Sequence, residues 1–258
     1  MAGTAYSVYW QPGCTSCLKA KEFLSRHAID FESINVRESH AAMDRLAALG
    51  ARSVPVVARG DDWVYAQDLD VLAKFVGVID GRSRLPPALL VERIAAQLRA
   101  TSRHVAQLPA EFLERTLPGR ADRTAADLAW HVPMIIAGFL DAAGGGTLSF
   151  DYFERRPQPE ERAPEVLVAC QDGAALALAT WWQTNAGKLP STVHTYYGVQ
   201  SLTSVLERTA WHAAQHARQL ESLVRQAGLE PDGPLGDTEL AGLPLPEGIW
   251  DPEVRALA

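Results

Sequence analysis

The run from Val205 to Val224, Val-Leu-Glu-Arg-Thr-Ala-Trp-His-Ala-Ala-Gln-His-Ala-Arg-Gln-Leu-Glu-Ser-Leu-Val, contains neither glycine nor proline. It is rich in Leu, Ala, Gln, Arg and Glu, so local preference favours one long helix. Leu202, Val205, Thr209, His212, His216, Leu220 and Leu223 recur at steps of three and four and draw a single stripe along it. A stripe of that kind has to be buried against other elements. His212 and His216 lie on it one turn apart, a spacing at which two imidazoles can share one metal ion. Core or interface histidines would give the same pattern. Two ligands do not make a metal site, so a third must be sought elsewhere in the chain.

The chain has 258 residues, which suggests one or two domains, and 47% of them are hydrophobic, enough for a packed core. A formal charge of −7 leaves no basic excess to neutralise phosphates, so a general nucleic-acid binder is not expected. No run of about twenty apolar residues would span a membrane. The opening Met-Ala-Gly-Thr-Ala-Tyr lacks the basic start and apolar stretch of a secretory signal. Of the three cysteines, Cys14 and Cys17 form a Cys-x-x-Cys pair, which points to redox chemistry in a reducing compartment. A cytoplasmic location is therefore expected.

The first eighty residues alternate short strands and helices. Strands are expected over Ala5–Trp10, Phe31–Val36, Val54–Ala58 and Trp63–Ala66, with helices over Leu18–His27, Ala41–Leu49 and Asp68–Val76. Cys14 would sit at a helix N-terminus, where the dipole and free N–H groups favour a thiolate, and Cys17 one turn inside, able to resolve a mixed disulfide. The order βαβαββα, the Cys14-Thr15-Ser16-Cys17 pair after the first strand and Ser53-Val54-Pro55 resemble a glutaredoxin, within the thioredoxin fold. That resemblance implies a cis Pro55 facing the cysteines and a Val54 backbone that meets a thiol peptide such as glutathione. It also implies that Gln67 and Asp68 hold the γ-glutamyl end of that peptide at a helix N-terminus.

Residues 81–87 read as a linker ending in Pro86-Pro87, and residues 88–258 as a second, all-α domain with an irregular tail. Helices are expected from Ala88 to Leu113, Ala125 to Ala142 and Pro164 to Thr184, ahead of the run described first. Four such helices make a bundle. The second carries Leu128, His131, Ile135 and Phe139 on one stripe, so His131 supplies the third histidine on a facing helix. Leu128-Ala129-Trp130-His131 and Trp211-His212-Ala213-Ala214-Gln215-His216 are similar to the DinB-like, or YfiT-like, family. Characterised members of that family include transferases and isomerases that use a small thiol such as mycothiol or bacillithiol. The resemblance implies a divalent metal held by His131, His212 and His216 with an open position. Zinc suits three imidazoles, and nickel and iron also accept them. His104 and His194 are expected at the surface or outside the ligand set, Cys170 as a small core residue, and Arg218 as a solvated charge.

The whole is expected to be multidomain: an N-terminal α/β thioredoxin fold and a C-terminal all-α four-helix bundle. The leading function is a metal- and thiol-dependent enzyme that adds glutathione or a similar low-molecular-weight thiol to a small electrophile, or exchanges it there. Its partners would be that thiol and that electrophile, with a homodimer allowed. Two alternatives stand beside it. One is a thiol–disulfide oxidoreductase with a non-catalytic bundle. The other is a redox- or metal-responsive binding protein.

Overall fold

The computed structural model describes residues 6–255, with side chains as far as residue 253. The chain divides into two compact units, Met1–Arg82 with Pro246–Ala258, and Ser83–Leu245.

The first unit runs β1 (Tyr6–Trp10), α1 (Thr15–Arg26), β2 (Phe31–Asn35), α2 (His40–Ala48), β3 (Val56–Arg59), β4 (Asp62–Tyr65), α3 (Leu69–Val76). The βαβαββα order is the expected one, and Ala5 lies outside the described residues. The four strands lie in the order β2-β1-β3-β4. The β1–β2 pair is parallel and is joined by α1, because parallel neighbours need a crossover. β3 and β4 are an antiparallel hairpin turned at Gly60, whose φ of 64° is the left-handed conformation that glycine adopts freely. Alternation along β1 fills both faces of the sheet. Val8 packs with Phe23, Leu24, Val57 and Leu72 on one side. Tyr9 packs with Leu46 and Val56 on the other.

The second unit contains α4 (Pro87–Gln107), α5 (Ala110–Leu113), β5 (Thr116–Leu117), β6 (Arg120–Thr124), α6 (Ala125–Ala143), β7 (Thr147–Leu148), α7 (Asp151–Glu154), α8 (Pro164–Asn185), β8 (Thr192–Thr195), β9 (Gly198–Ser201), α9 (Leu202–Gln226) and α10 (Asp237–Leu240). The four long helices share one core, with Leu90, Ile94 and Leu98 from α4, Val132, Ile135 and Phe139 from α6, Leu178 from α8, and Val205, Leu206 and Ala210 from α9. No helix of the described residues is long and apolar enough to cross a membrane.

Four expectations are corrected. The helix expected over 88–113 is two helices, because Pro109 follows Leu108 and disfavours α geometry there. His104 lies outside the three-histidine group, as one arm of its expectation had it, but it is fully buried on α4 and not at the surface, and burial lowers its pKa. Cys170 is half-buried on α8, and partial burial raises its pKa. The tail from Pro246, which includes α11 (Pro252–Arg255), groups with the first unit and not with the bundle. The reason is electrostatic. Lys21 of α1 is buried, and a buried ammonium needs counter-charge. Asp251 Oδ2 at 2.6 Å and Glu253 Oε1 at 2.9 Å supply it. The Lys21 ammonium also lies 3.8 Å above the centre of the Trp10 ring. The Glu22 carboxylate accepts from the backbone N–H groups of Glu247 and Gly248, tying down the segment just before.

Candidate functional site

In the first unit Cys14 is the N-cap of α1, and its Sγ accepts from the Cys17 N–H at 3.2 Å. The two cysteines form a disulfide. Cys17 is fully buried against Trp10, while Cys14 is half-buried and packs beside Val54. That asymmetry suits a thiol that attacks from outside and one that resolves from within. The Val54–Pro55 peptide is cis. The Gln67 side chain is 1% exposed, and its Nε2 donates to the Val54 carbonyl at 3.3 Å. The backbone carbonyl of Gln67 accepts from Lys19 Nζ at 3.2 Å. Gln67 therefore braces Val54. Asp68 caps α3, its carboxylate accepting from the Asp70 N–H at 2.8 Å.

In the second unit α6 and α9 supply the histidines. α6 begins with a capping box, in which Asp127 Oδ2 accepts from the Thr124 N–H at 2.9 Å and Thr124 Oγ1 accepts from the Asp127 N–H at 3.4 Å. Pro133 lies inside α6 and has no N–H for the carbonyl four residues back, that of Ala129. Gln171 of α8, fully buried, donates its Nε2 to that carbonyl at 2.7 Å. The turn carrying His131 is thus opened by a proline and closed by a glutamine from the next helix.

His131 meets His212 and His216 across the bundle. Ring centroids are 5.4 Å apart for His131–His212, 5.0 Å for His131–His216 and 4.7 Å for His212–His216. One ligand atom from each lies within 4.8 Å of the others. His216 Nδ1 is 2.7 Å from Gln219 Oε1, which can only accept, so Nδ1 carries the proton and Nε2 keeps its lone pair. Among the described residues that buried Nε2 has no hydrogen-bond partner. Burial holds the His216 pKa down at about 4, against a small opposing effect of Gln219. Burial also lowers His131 well below its ordinary value, helped by His216, Arg123, Arg208 and Arg120. Both rings are neutral near pH 7, as metal ligation requires. Three imidazoles from two helices, one oriented by a hydrogen bond through its other ring nitrogen, fit a divalent transition metal.

The family follows from the sequence of that bundle. A family model described as the DinB family matches residues 83–235, more than half of the chain. The chain belongs to the DinB family. The DinB bundle is preceded by a segment, residues 6–64, that matches the glutaredoxin model. Over 55 residues the chain is 33% identical to a glutaredoxin-like protein NrdH of Lactococcus lactis subsp. lactis (strain IL1403), covering 21% of this chain and 76% of the relative. It is 36% identical over 55 residues to a glutaredoxin-like protein NrdH of Escherichia coli (strain K12), 21% of this chain and 68% of that protein. A gene 56 protein of Mycobacterium phage L5 is 40% identical over 52 residues, 20% of this chain and 50% of its own length. The N-terminal module is thus a glutaredoxin-like thiol–disulfide redox domain joined to a DinB domain.

Around the DinB histidines the structure adds residues that the helical pattern did not single out. Phe153 of α7 lies 5.7 Å from His131 and 5.9 Å from His212, ring centre to ring centre. Tyr196 and Tyr197 form the turn between β8 and β9, which is held to β7 by the Tyr196 N–H and the Leu148 carbonyl at 2.9 Å. Arg208, one turn before His212 on α9, is 5% exposed and stacks on Phe153, Tyr196 and Tyr197. The signal was available: positions 208, 212 and 216 are spaced by four. Helical spacing alone does not mark a charged residue as buried, and the packing of Arg208 against these rings is what places it there.

Proposed function

We propose that this chain is a metal- and thiol-dependent enzyme in which His131, His212 and His216 hold one divalent transition metal, zinc being the best suited to the donor set. The observation that carries this reading is the convergence of three imidazoles from two helices, with ligand atoms within 4.8 Å of one another. A bound ion would supply the charge that keeps a small thiol deprotonated at neutral pH and ready to attack an electrophilic carbon. Glutathione or a similar low-molecular-weight thiol is the cosubstrate of this reading. The chain's own residues do the rest. Gln219 holds the His216 tautomer, Phe153 packs against the His131 and His212 rings, and the Gln171–Ala129 bond keeps the His131 turn in place.

In the glutaredoxin module, Cys14 Sγ attacks a mixed disulfide and displaces one thiol. Cys17 Sγ then attacks Cys14 Sγ, releases the second thiol and closes the Cys14–Cys17 disulfide, which a further thiol must reduce. Val54 and Pro55 flank this pair and supply the surface that a thiol peptide would meet.

The metal content of the purified full-length protein tests the first half. About one transition metal per chain, lost in His131→Ala and His212→Ala, is expected. A wild-type chain that takes up neither zinc nor nickel would remove the enzyme mechanism. The second reading, a thiol–disulfide oxidoreductase with a non-catalytic bundle, is favoured by the Cys14–Cys17 disulfide and predicts exchange activity that chelators leave unchanged. Loss of exchange in Cys14→Ser, together with a trapped mixed disulfide in Cys17→Ser, is expected under both readings.

A further inference from the structure

Among the described residues Arg208 is a cation buried without a counter-ion. Its Nη2 donates to the Tyr196 hydroxyl at 3.2 Å. Its Nε is buried and has no hydrogen-bond partner, and no carboxylate of the described residues lies within ion-pair distance of it. The guanidinium carbon lies 4.9 Å from the centre of the Phe153 ring, 5.6 Å from that of Tyr197 and 5.9 Å from that of Tyr196. These π faces offset part of the cost of removing the charge from water, but they leave a planar donor fork unfilled. Two other cations that leave water are answered by acids: Lys21 has Asp251, and the half-buried Arg84 has Glu207 at 3.1 Å.

The place of this unanswered charge is specific. Arg208 precedes His212 by one turn on the same helix, so both project from one face. Phe153 touches Arg208 on one side and the rings of His131 and His212 on the other. Arg123 adds a second guanidinium beside Phe153, half-buried, with its Nη2 donating to the Phe153 carbonyl at 3.4 Å. The region beside the histidines is therefore cationic before any metal ion is added, and an anion is the chemistry that completes it.

Resting on the metal-site reading above, we propose that Arg208 is the carboxylate-binding residue of the three-histidine pocket. The molecule handled there carries a carboxylate that pairs with the Arg208 fork while its reacting end lies at the histidines. An aromatic or planar body is favoured, because Phe153, which touches both Arg208 and the histidine rings, offers a face to stack on. The carboxylate can belong to the thiol or to the electrophile, and both sources use the same fork.

Two matched pairs of probes separate these. Cobalt-loaded full-length protein is titrated with 3-mercaptopropionate and with 2-mercaptoethanol, read by thiolate-to-cobalt absorption. The full-length protein, with and without metal, is titrated with benzoate and with benzamide, read by thermal shift. The carboxylate member of at least one pair should bind about tenfold more tightly or better, as a charge-assisted bond allows. That advantage should vanish in Arg208→Gln while 2-mercaptoethanol binding stays. An advantage in the thiol pair puts the carboxylate on the thiol, and one in the benzoate pair puts it on the electrophile. No advantage in either pair, or one that survives Arg208→Gln, overturns the assignment. Failure of the metal reading looks different: cobalt is not held, or neither thiol changes its spectrum, and the metal-free benzoate comparison still decides the role of Arg208. Should Arg208→Gln not fold, Arg208→Lys keeps the charge and loses the fork, and must cut the advantage.

Discussion

Gln219 Oε1 lies 2.7 Å from His216 Nδ1, and this one bond decides which nitrogen of the ring carries the proton. Without it the imidazole could place its proton on Nε2, which would turn a ligand into a donor. Gln219→Ala should therefore lower metal affinity by about 10–100-fold without removing a ligand. Competition against a chromophoric chelator measures this, and an unchanged affinity would show that the tautomer is held by something else.

The neutral state of the histidines has a pH signature. In the unfolded chain their pKa values return to about 6.5, whereas burial holds His216 at about 4 and His131 well below its ordinary value in the fold. Between these limits the unfolded state binds more protons, so acid favours unfolding. The contribution is fully present above about pH 6.5 and is lost as pH falls toward the folded value. Urea midpoints of the metal-free chain should fall between about pH 7 and about pH 5. The fall should be shallower in His216→Gln, and an identical slope in the two proteins would contradict the burial argument.

The Gln171–Ala129 bond makes a sharper test because its cause is covalent. Pro133 withholds the N–H that would reach the Ala129 carbonyl, and Gln171 Nε2 replaces it from α8. Gln171→Leu strands a buried carbonyl and should cost about 1–3 kcal/mol. Adding Pro133→Ala supplies an intrahelical N–H and should recover much of that loss. A double-mutant cycle on the bundle transition measures the coupling, which should be non-additive in the stabilising direction. Simple additivity would mean that the two residues do not share the carbonyl.

The tail offers a test in the other unit. Lys21 and Asp251 are both nearly sealed from water, with their side chains 6% and 6% exposed. Asp251→Ala leaves the ammonium with only the half-exposed Glu253 and should destabilise the glutaredoxin-like unit by about 3 kcal/mol. Hydrogen exchange in β1 and α1 reads that unit alone. Lys21→Met with Asp251→Ala should cost less than Asp251→Ala, since no charge is then stranded.

Much of this protein was written in local pattern. The short apolar runs bounded by turn residues around Val8, Ile34 and Val57 marked the strands, and the three-and-four spacing around Ile94, Ile135 and Leu220 marked the long helices. The cysteine pair and the three histidines were legible for the same reason, each being spaced for one helix face. Other features depended on distant partners. Gln67 sits beside the expected ligand position, yet its side chain turns inward to the Val54 carbonyl, a contact between residues far apart in sequence. The assignment of residues 246–258 to the first unit follows from the burial of Lys21, which no property of the tail announces. The short strands that hold Tyr196 and Tyr197 are too brief to alternate visibly, and Arg208 is a charge whose environment consists of those rings. The sequence by itself determined which residues share a face. Only the tertiary structure decided which faces meet and which buried charges are left without an opposite, because desolvation depends on everything packed around a group and not on its neighbours along the chain.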